Sequence, residues 1–156
     1  MMRMEIVKPS VEDCKSINNL AVQVHNCHVQ WRPDFYTNCD EIISKDDLKD
    51  MIDNNSIFVA KKDDKIVGYV SLIVKEREHK GFRYRKQMDV DAICVDEKYR
   101  RQGIATELLD YVKKYALELD CTDIFLNVNP QNDIGIHLYE KFGMTVRNIG
   151  YSIQIK

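Results

Sequence analysis

The sequence is short of several things, and each shortage removes a class of protein. Its five cysteines, Cys14, Cys27, Cys39, Cys94 and Cys121, are odd in number and form no CxxC pair. Reduced thiols are therefore expected rather than a disulfide framework. No apolar run approaches the roughly eighteen residues of a membrane span, and the start MMRMEIVKPS lacks a signal-like apolar core. The expectation is a cytoplasmic protein with no membrane partner. Charge of one sign is lacking too: the formal net charge is −2 although 31% of residues are charged, so nothing global draws the chain to nucleic acid. With three prolines, six glycines, no repeat and no linker-like stretch, residues 1–156 are expected to form a single domain.

What is there is a series of well-punctuated elements. Met4 to Lys8 favours a strand and Pro9 ends it; Ser10 and Asp13 then have capping-box spacing. Val11, Cys14, Ile17, Leu20, Ala21, Val24 and His28 recur at helical steps, which predicts a helix to about residue 29. Trp31-Arg32-Pro33-Asp34 interrupts it, because proline disfavours helix in the residue before it. Ser44, ahead of Asp46 and Asp47, predicts a second helix to about Asp53. Ser56 to Lys61 and Lys65 to Lys75 read as strands joined by a tight turn at Lys62-Asp63-Asp64, and Lys86 to Val95 as the next strand. A helix should follow Gly103, then a strand over Thr122 to Val128, a helix over Asn132 to Lys141, and two short strands between Met144 and Ile155. The order is β-α-α-β-β-β-α-β-α-β-β.

The junction Asp96-Glu97-Lys98-Tyr99-Arg100-Arg101-Gln102-Gly103-Ile104-Ala105 has strand before it and amphipathic helix after it. The first turn of a helix leaves N–H groups without internal partners, and the macrodipole adds positive character there, so a pyrophosphate can seat on it. Gly103 and Ala105 keep the approach small, and Thr106 adds a hydroxyl. Taken alone, the segment reads as a β-to-α turn with solvated basic residues rather than as a phosphate site. The stretch DAICVDEKYRRQGIATELL, however, resembles the acetyl-CoA signature of the GNAT superfamily at Arg100, Gly103 and Ala105, and NPQNDIGIHLYEKFGM resembles that superfamily's second conserved region.

That resemblance implies an α/β (α+β) fold with a mixed, mainly antiparallel sheet of about seven strands flanked by four helices. The sheet should be splayed between Asp89–Val95 and Thr122–Val128. It implies acetyl-CoA as co-substrate, held by Arg100, Arg101, Gln102, Gly103, Ile104, Ala105 and Thr106, by backbone groups around Ile93, Cys94 and Val95, and by Asn127 and Asn132 on the pantetheine arm. Tyr139 is implied as the general acid for the thiolate of CoA. Read from the helix alone, Asn132 and Tyr139 are a helix cap and an amphipathic core tyrosine. Gly135 stands where relatives normally have alanine, at a cost to a helix of roughly 1 kcal/mol.

Strict alternation along Lys86–Val95 puts Asp89, Asp91, Ile93 and Val95 on one face and Val90, Ala92 and Cys94 on the other. An amine acceptor arrives as its ammonium form and must lose a proton; Asp91 is the candidate base, and Asp89 a second carboxylate near it. Both can also be read as solvent-facing strand residues. His28 and Trp31, between the first two helices, are candidates for the acceptor wall or for a packed aromatic corner. His25, Cys27 and His28 spread over different helix faces, so no metal is expected. Cys94 has no histidine beside it and reads as a structural thiol. The mixed charges of the loop from Lys75 to Lys86 read as a solvated hairpin tip. The expectation is an acetyltransferase acting on a small, cationic primary amine. A non-catalytic acyl-CoA-binding module and a protein N-acetyltransferase remain as alternatives, and terminal strands leave room for a homodimer.

Overall fold

A computed structural model describes residues 3–156. Its elements are β1 (Met4–Val7), α1 (Cys14–Trp31), α2 (Lys45–Asp53), β2 (Ile57–Lys62), β3 (Lys65–Arg77), β4 (Arg85–Val95), α3 (Ile104–Glu118), β5 (Asp123–Phe125) and α4 (Asp133–Phe142). Short 3₁₀ turns at Val11–Asp13 and Glu97–Tyr99 lead into α1 and toward α3. The helix starts sit where the capping residues place them. The Ser10 N–H donates to Asp13 Oδ2 at 2.9 Å, and Ser44 Oγ accepts from the Asp47 N–H at 3.0 Å. Each supplies a partner at a helix end whose N–H groups would otherwise have none.

The five strands form one sheet in chain order, antiparallel from β1 to β4, with β5 added parallel to β4. The turn between β2 and β3 uses Asp63 and Asp64 at φ 49° and 64°, the left-handed pair that matches strand twist. One face of the sheet is covered by α1 and α2, where Ile17, Leu20 and Leu48 pack on Val59, Tyr69 and Cys94. The other carries α3, whose Ile104, Leu108 and Val112 pack on Val67, Val70, Met88 and Val90.

The strict alternation expected along β4 does not hold. Ser71 faces Ala92 while the next residue, Leu72, faces Val90. Asp91 is therefore an extra residue, a β-bulge that switches the parity of the strand. Met88 and Val90 share the α3 side with Ile93 and Val95, whereas Ala92 and Cys94 turn to the α1 side. Asp89 thus lies on the opposite face from Ile93 and Val95, not on the same one.

The sheet also has five strands rather than about seven. The parallel ladder joins Gln87, Met88 and Asp89 to Asp123, Ile124 and Phe125 and stops there, so the strand expected over Thr122–Val128 is paired only in its first half. The segment after Gly143, expected to add two strands, is outside any ladder among the described residues. A period-2 pattern makes a strand only when a neighbour takes up its backbone groups.

Candidate active site

Two features at the C-terminal end of β4 define the site, and the first is the loop into α3. Arg100, Arg101, Gln102 and Gly103 are exposed, Ile104 is buried in the core, and Thr106 is exposed. Arg101 and Gly103 take φ values of 62° and 79°, which fold the loop tightly enough to start the helix directly. Gly103 is the N-cap and, lacking a side chain, caps nothing. The N–H groups of Ile104, Ala105 and Thr106 therefore lack a helical partner, and the exposed Arg100 and Arg101 precede them in the same loop. Lys62 Nζ donates to Gln102 Oε1 at 2.7 Å and ties the loop to β2. These donors and charges fit a pyrophosphate.

The second feature is the parting of β4 from β5. From Val90 onward β4 is paired on its β3 side only, so among Ile93, Cys94 and Val95 at least one backbone N–H faces the opening. Gly68, opposite Val95, lets β3 come close; a Cβ there would meet the Cys94 carbonyl at 2.9 Å. Tyr69 lies directly across the ladder from Cys94, both buried at 2% and 3% exposure. Asp91 is exposed at the bulge; burial, then the neighbouring Cys94, and least the Asp91 charge raise the Tyr69 phenol above its ordinary value. Burial pushes the Cys94 thiol up to about 11, against smaller opposing effects of Tyr69 and Arg100. Cys94 is thus a neutral thiol at ordinary pH. The bulge places Asp91 on the side of Tyr69 and Cys94, where alternation had placed it opposite Cys94.

Tyr139 comes to the same place from α4. It is half-buried, and its phenol is raised above the ordinary value by burial and then by Cys94. It holds its proton across the neutral range, as a proton donor must. Tyr69 and Cys94 are buried partners across the ladder, and the electrostatic effects of Asp91 on Tyr69 and of Cys94 on Tyr139 relate the other two residues to them. Tyr69 was not singled out by sequence reasoning, because its partner across the β3–β4 ladder depends on a long hairpin with an internal bulge. Asn127 and Tyr139 also line a groove of about 1040 Å³ along β5 and α4. That groove does not reach the loop into α3, so it is a second depression beside the opening.

Asn132 caps α4, its Oδ1 accepting from the Gly135 N–H at 2.9 Å. Gly135 now has a physical reason: a Cβ there would lie 2.6 Å from Asn132 Nδ2. The missing methyl makes room for the capping amide, and the second amide group of Asn132 stays available.

The remaining candidates are distributed differently. Asp89 is buried, ion-paired with Lys75 Nζ at 2.7 Å and hydrogen-bonded by Gln87, so its charge is already matched. His28 packs edge-on to Trp31 at 5.6 Å and lies 5.2 Å from the Tyr36 ring. Phe35 and His25 complete this aromatic corner. Burial, then the neighbouring His25, lowers the His28 pKa.

Residues 17–144 match the family described as Acetyltransferase (GNAT) family. A relative called N-alpha-acetyltransferase from Sulfurisphaera tokodaii is 35% identical over 96 residues, 56% of this chain and 55% of that protein. The chain spans about half the length of the curated relatives it matches. Among solved structures, a mutant of the BH1408 protein from Bacillus halodurans has a TM-score of 0.87 at 21% identity, covering 100% of this chain and 99% of that one. An aminoglycoside N-acetyltransferase, AAC(6')-Iy in complex with CoA, has a TM-score of 0.69 at 16% identity, covering 99% and 97%. These two likenesses are of fold.

Proposed function

Because the chain belongs to the Acetyltransferase (GNAT) family, we propose that it is an acetyl-CoA-dependent N-acetyltransferase acting on a primary amine. The observation that carries the reading is that one strand joins both halves of such a site. β4 ends in the uncapped first turn of α3, and it parts from β5 beside Asp91, Tyr69, Cys94 and Tyr139. Arg100, Arg101 and Gln102, with the N–H groups of Ile104, Ala105 and Thr106, hold the pyrophosphate, while Asn127 and the free amide group of Asn132 hold the pantetheine arm. When bound, acetyl-CoA supplies an activated acyl group.

The chain's own residues do the rest. Asp91 receives the ammonium group of the acceptor and takes its proton, directly or through a water. Backbone N–H groups at Ile93 to Val95 polarise the acetyl carbonyl. As the amine nitrogen bonds to the acetyl carbon and the carbon–sulfur bond breaks, Tyr139 delivers its proton to the departing sulfur, while the nitrogen's remaining surplus proton passes to solvent and solvent restores the Tyr139 phenol.

For the acceptor, the open carboxylate of Asp91 supports a small cationic amine, but a single one, since Asp89 is neutralised by Lys75. The α-amino group of a protein is the second reading, favoured by the relatives called N-alpha-acetyltransferase. The test is release of CoA thiol from acetyl-CoA with a panel of small monoamines, polyamines, aminoglycosides and peptides with free α-amines. Turnover confined to small amines supports the first reading and turnover confined to peptides the second. Tight CoA binding with no thiol release from any amine contradicts both and leaves an acyl-CoA-binding module. Asp91→Asn should move the pH dependence of kcat/KM to higher pH, and an unaltered profile would assign the base elsewhere.

A further inference from the structure

The β3–β4 hairpin runs past both strands that flank it. β2 ends its pairing at Ile57 opposite Ser71, and β5 begins its own at Asp123 opposite Gln87, yet the ladder between β3 and β4 continues outward to Arg77 opposite Arg85. Residues 78–84 close it as a loop, turned by the Phe82 N–H donating to the His79 carbonyl at 2.9 Å, with Gly81 at φ 86°. The tip therefore stands clear of the sheet, at the end of β4 away from the loop into α3. All of residues 73–85 are exposed.

Six of the twelve residues from Lys75 to Lys86 are lysine or arginine and two are glutamate. Along the chain these charges look mixed, but the ladder sorts them. Lys75 Nζ is paired with Asp89 at 2.7 Å, and Glu76 faces Lys86. Arg77 faces Arg85, a like-charge pair that costs stability and that an anion between them would relieve. Arg77, Lys80, Arg83 and Arg85 make no salt bridge among the described residues, which leaves four cations against Glu78. Two rings stand among them: Phe82, 62% exposed with His79 edge-on at 5.7 Å, and Tyr84, 48% exposed.

We propose that this hairpin tip is a binding surface for single-stranded nucleic acid, with Arg77, Lys80, Arg83 and Arg85 pairing with phosphates while Phe82 and Tyr84 stack on unpaired bases. The partner follows from the two sets of groups taken together. Each unit of a single strand carries one anion and one flat ring, so it engages both. An acidic peptide would match the cations and leave the rings without ring partners. A bilayer favours an apolar surface, whereas Phe82 is bracketed by Lys80 and Arg83 and residues 78–84 hold no aliphatic side chain. The net charge of −2 over the whole chain keeps such contact local to the tip. The inference does not depend on the acetyl-transfer reading.

Fluorescence anisotropy of a labelled ten-nucleotide single-stranded RNA, titrated with the full chain over a series of salt concentrations, tests it. The expected result is binding whose logarithm falls against the logarithm of salt with a slope of about −3, as four phosphate contacts to a single strand require. Arg83→Gln combined with Arg85→Gln should weaken binding by about tenfold or more and flatten the slope by about 1.4. Phe82→Ala should weaken binding about tenfold and leave the slope unchanged. No binding at low salt overturns the proposal. So does equal affinity for the same sequence in a duplex, for polyglutamate or for vesicles rich in phosphatidylserine, and so do variants that bind like wild type. Should a variant fail to fold, the wild-type slope and the comparison with duplex, polyglutamate and vesicles decide alone.

Discussion

Burial acts on both Tyr139 and Cys94 in the direction of the neutral form. For Cys94 the consequence is a stability effect with a definite sign. Its folded pKa of about 11 lies above the ordinary value of 9.0, so the neutral thiol costs nothing below pH 9, and stability falls as pH rises toward 11. Two units correspond to roughly 2–3 kcal/mol. Denaturant unfolding across that range should show wild type losing up to that amount relative to Cys94→Ala; parallel pH curves would mean that the thiol is hydrated in the fold. Gly135 offers a second residue-scale test. Gly135→Ala displaces the Asn132 amide, giving up a cap worth about 1 kcal/mol and gaining about as much helix propensity. Thermal unfolding should change little while CoA affinity shifts, and a large loss of stability would show that Asn132 cannot move.

At the scale of elements, the helices were legible because their signals are local. Ser10 with Asp13, Ser44 with Asp47, and Asn132 ahead of its helix each announce a start through contacts three residues long. The loop Arg100–Ala105 was legible for the same reason, and Gly103 contributes more through its φ of 79° than through small size, since a Cβ there would meet nothing within 4 Å. Gly103→Ala should therefore cost roughly 1–2 kcal/mol of backbone strain and weaken CoA binding, checked by thermal unfolding and calorimetry. Unchanged binding would locate the phosphates elsewhere. The bulge at Asp91 was not legible, because it exists only as a mismatch between β3 and β4. One extra residue there reversed the face assigned to half the strand. It separated Asp89 from Asp91 in role and revealed Tyr69, which no spacing within β3 singles out. The tail failed in the opposite way: its alternation is plain, but no ladder takes up its backbone groups among the described residues.

For the whole molecule, the proposed reading places donor and acceptor along one opening beside β4. β4 is paired on both sides until Asp89, and the opening created where β5 leaves it runs toward the loop into α3. In the proposed reading the donor end rests on residues that are consecutive in sequence, whereas the acceptor rests on Asp91 of β4 and the departing sulfur on Tyr139 of α4. His28 and Trp31 of α1 pack with Tyr36 as an aromatic corner. The central claim is that acetyl transfer takes place at this opening with Tyr139 as the acid. It is tested most directly by steady-state CoA release with the best acceptor, alongside CoA affinity, for wild type and Tyr139→Phe. The prediction is a fall in kcat of about 10²-fold or more with CoA affinity nearly unchanged. Equal turnover in the two proteins would contradict it and remove Tyr139 from the chemistry.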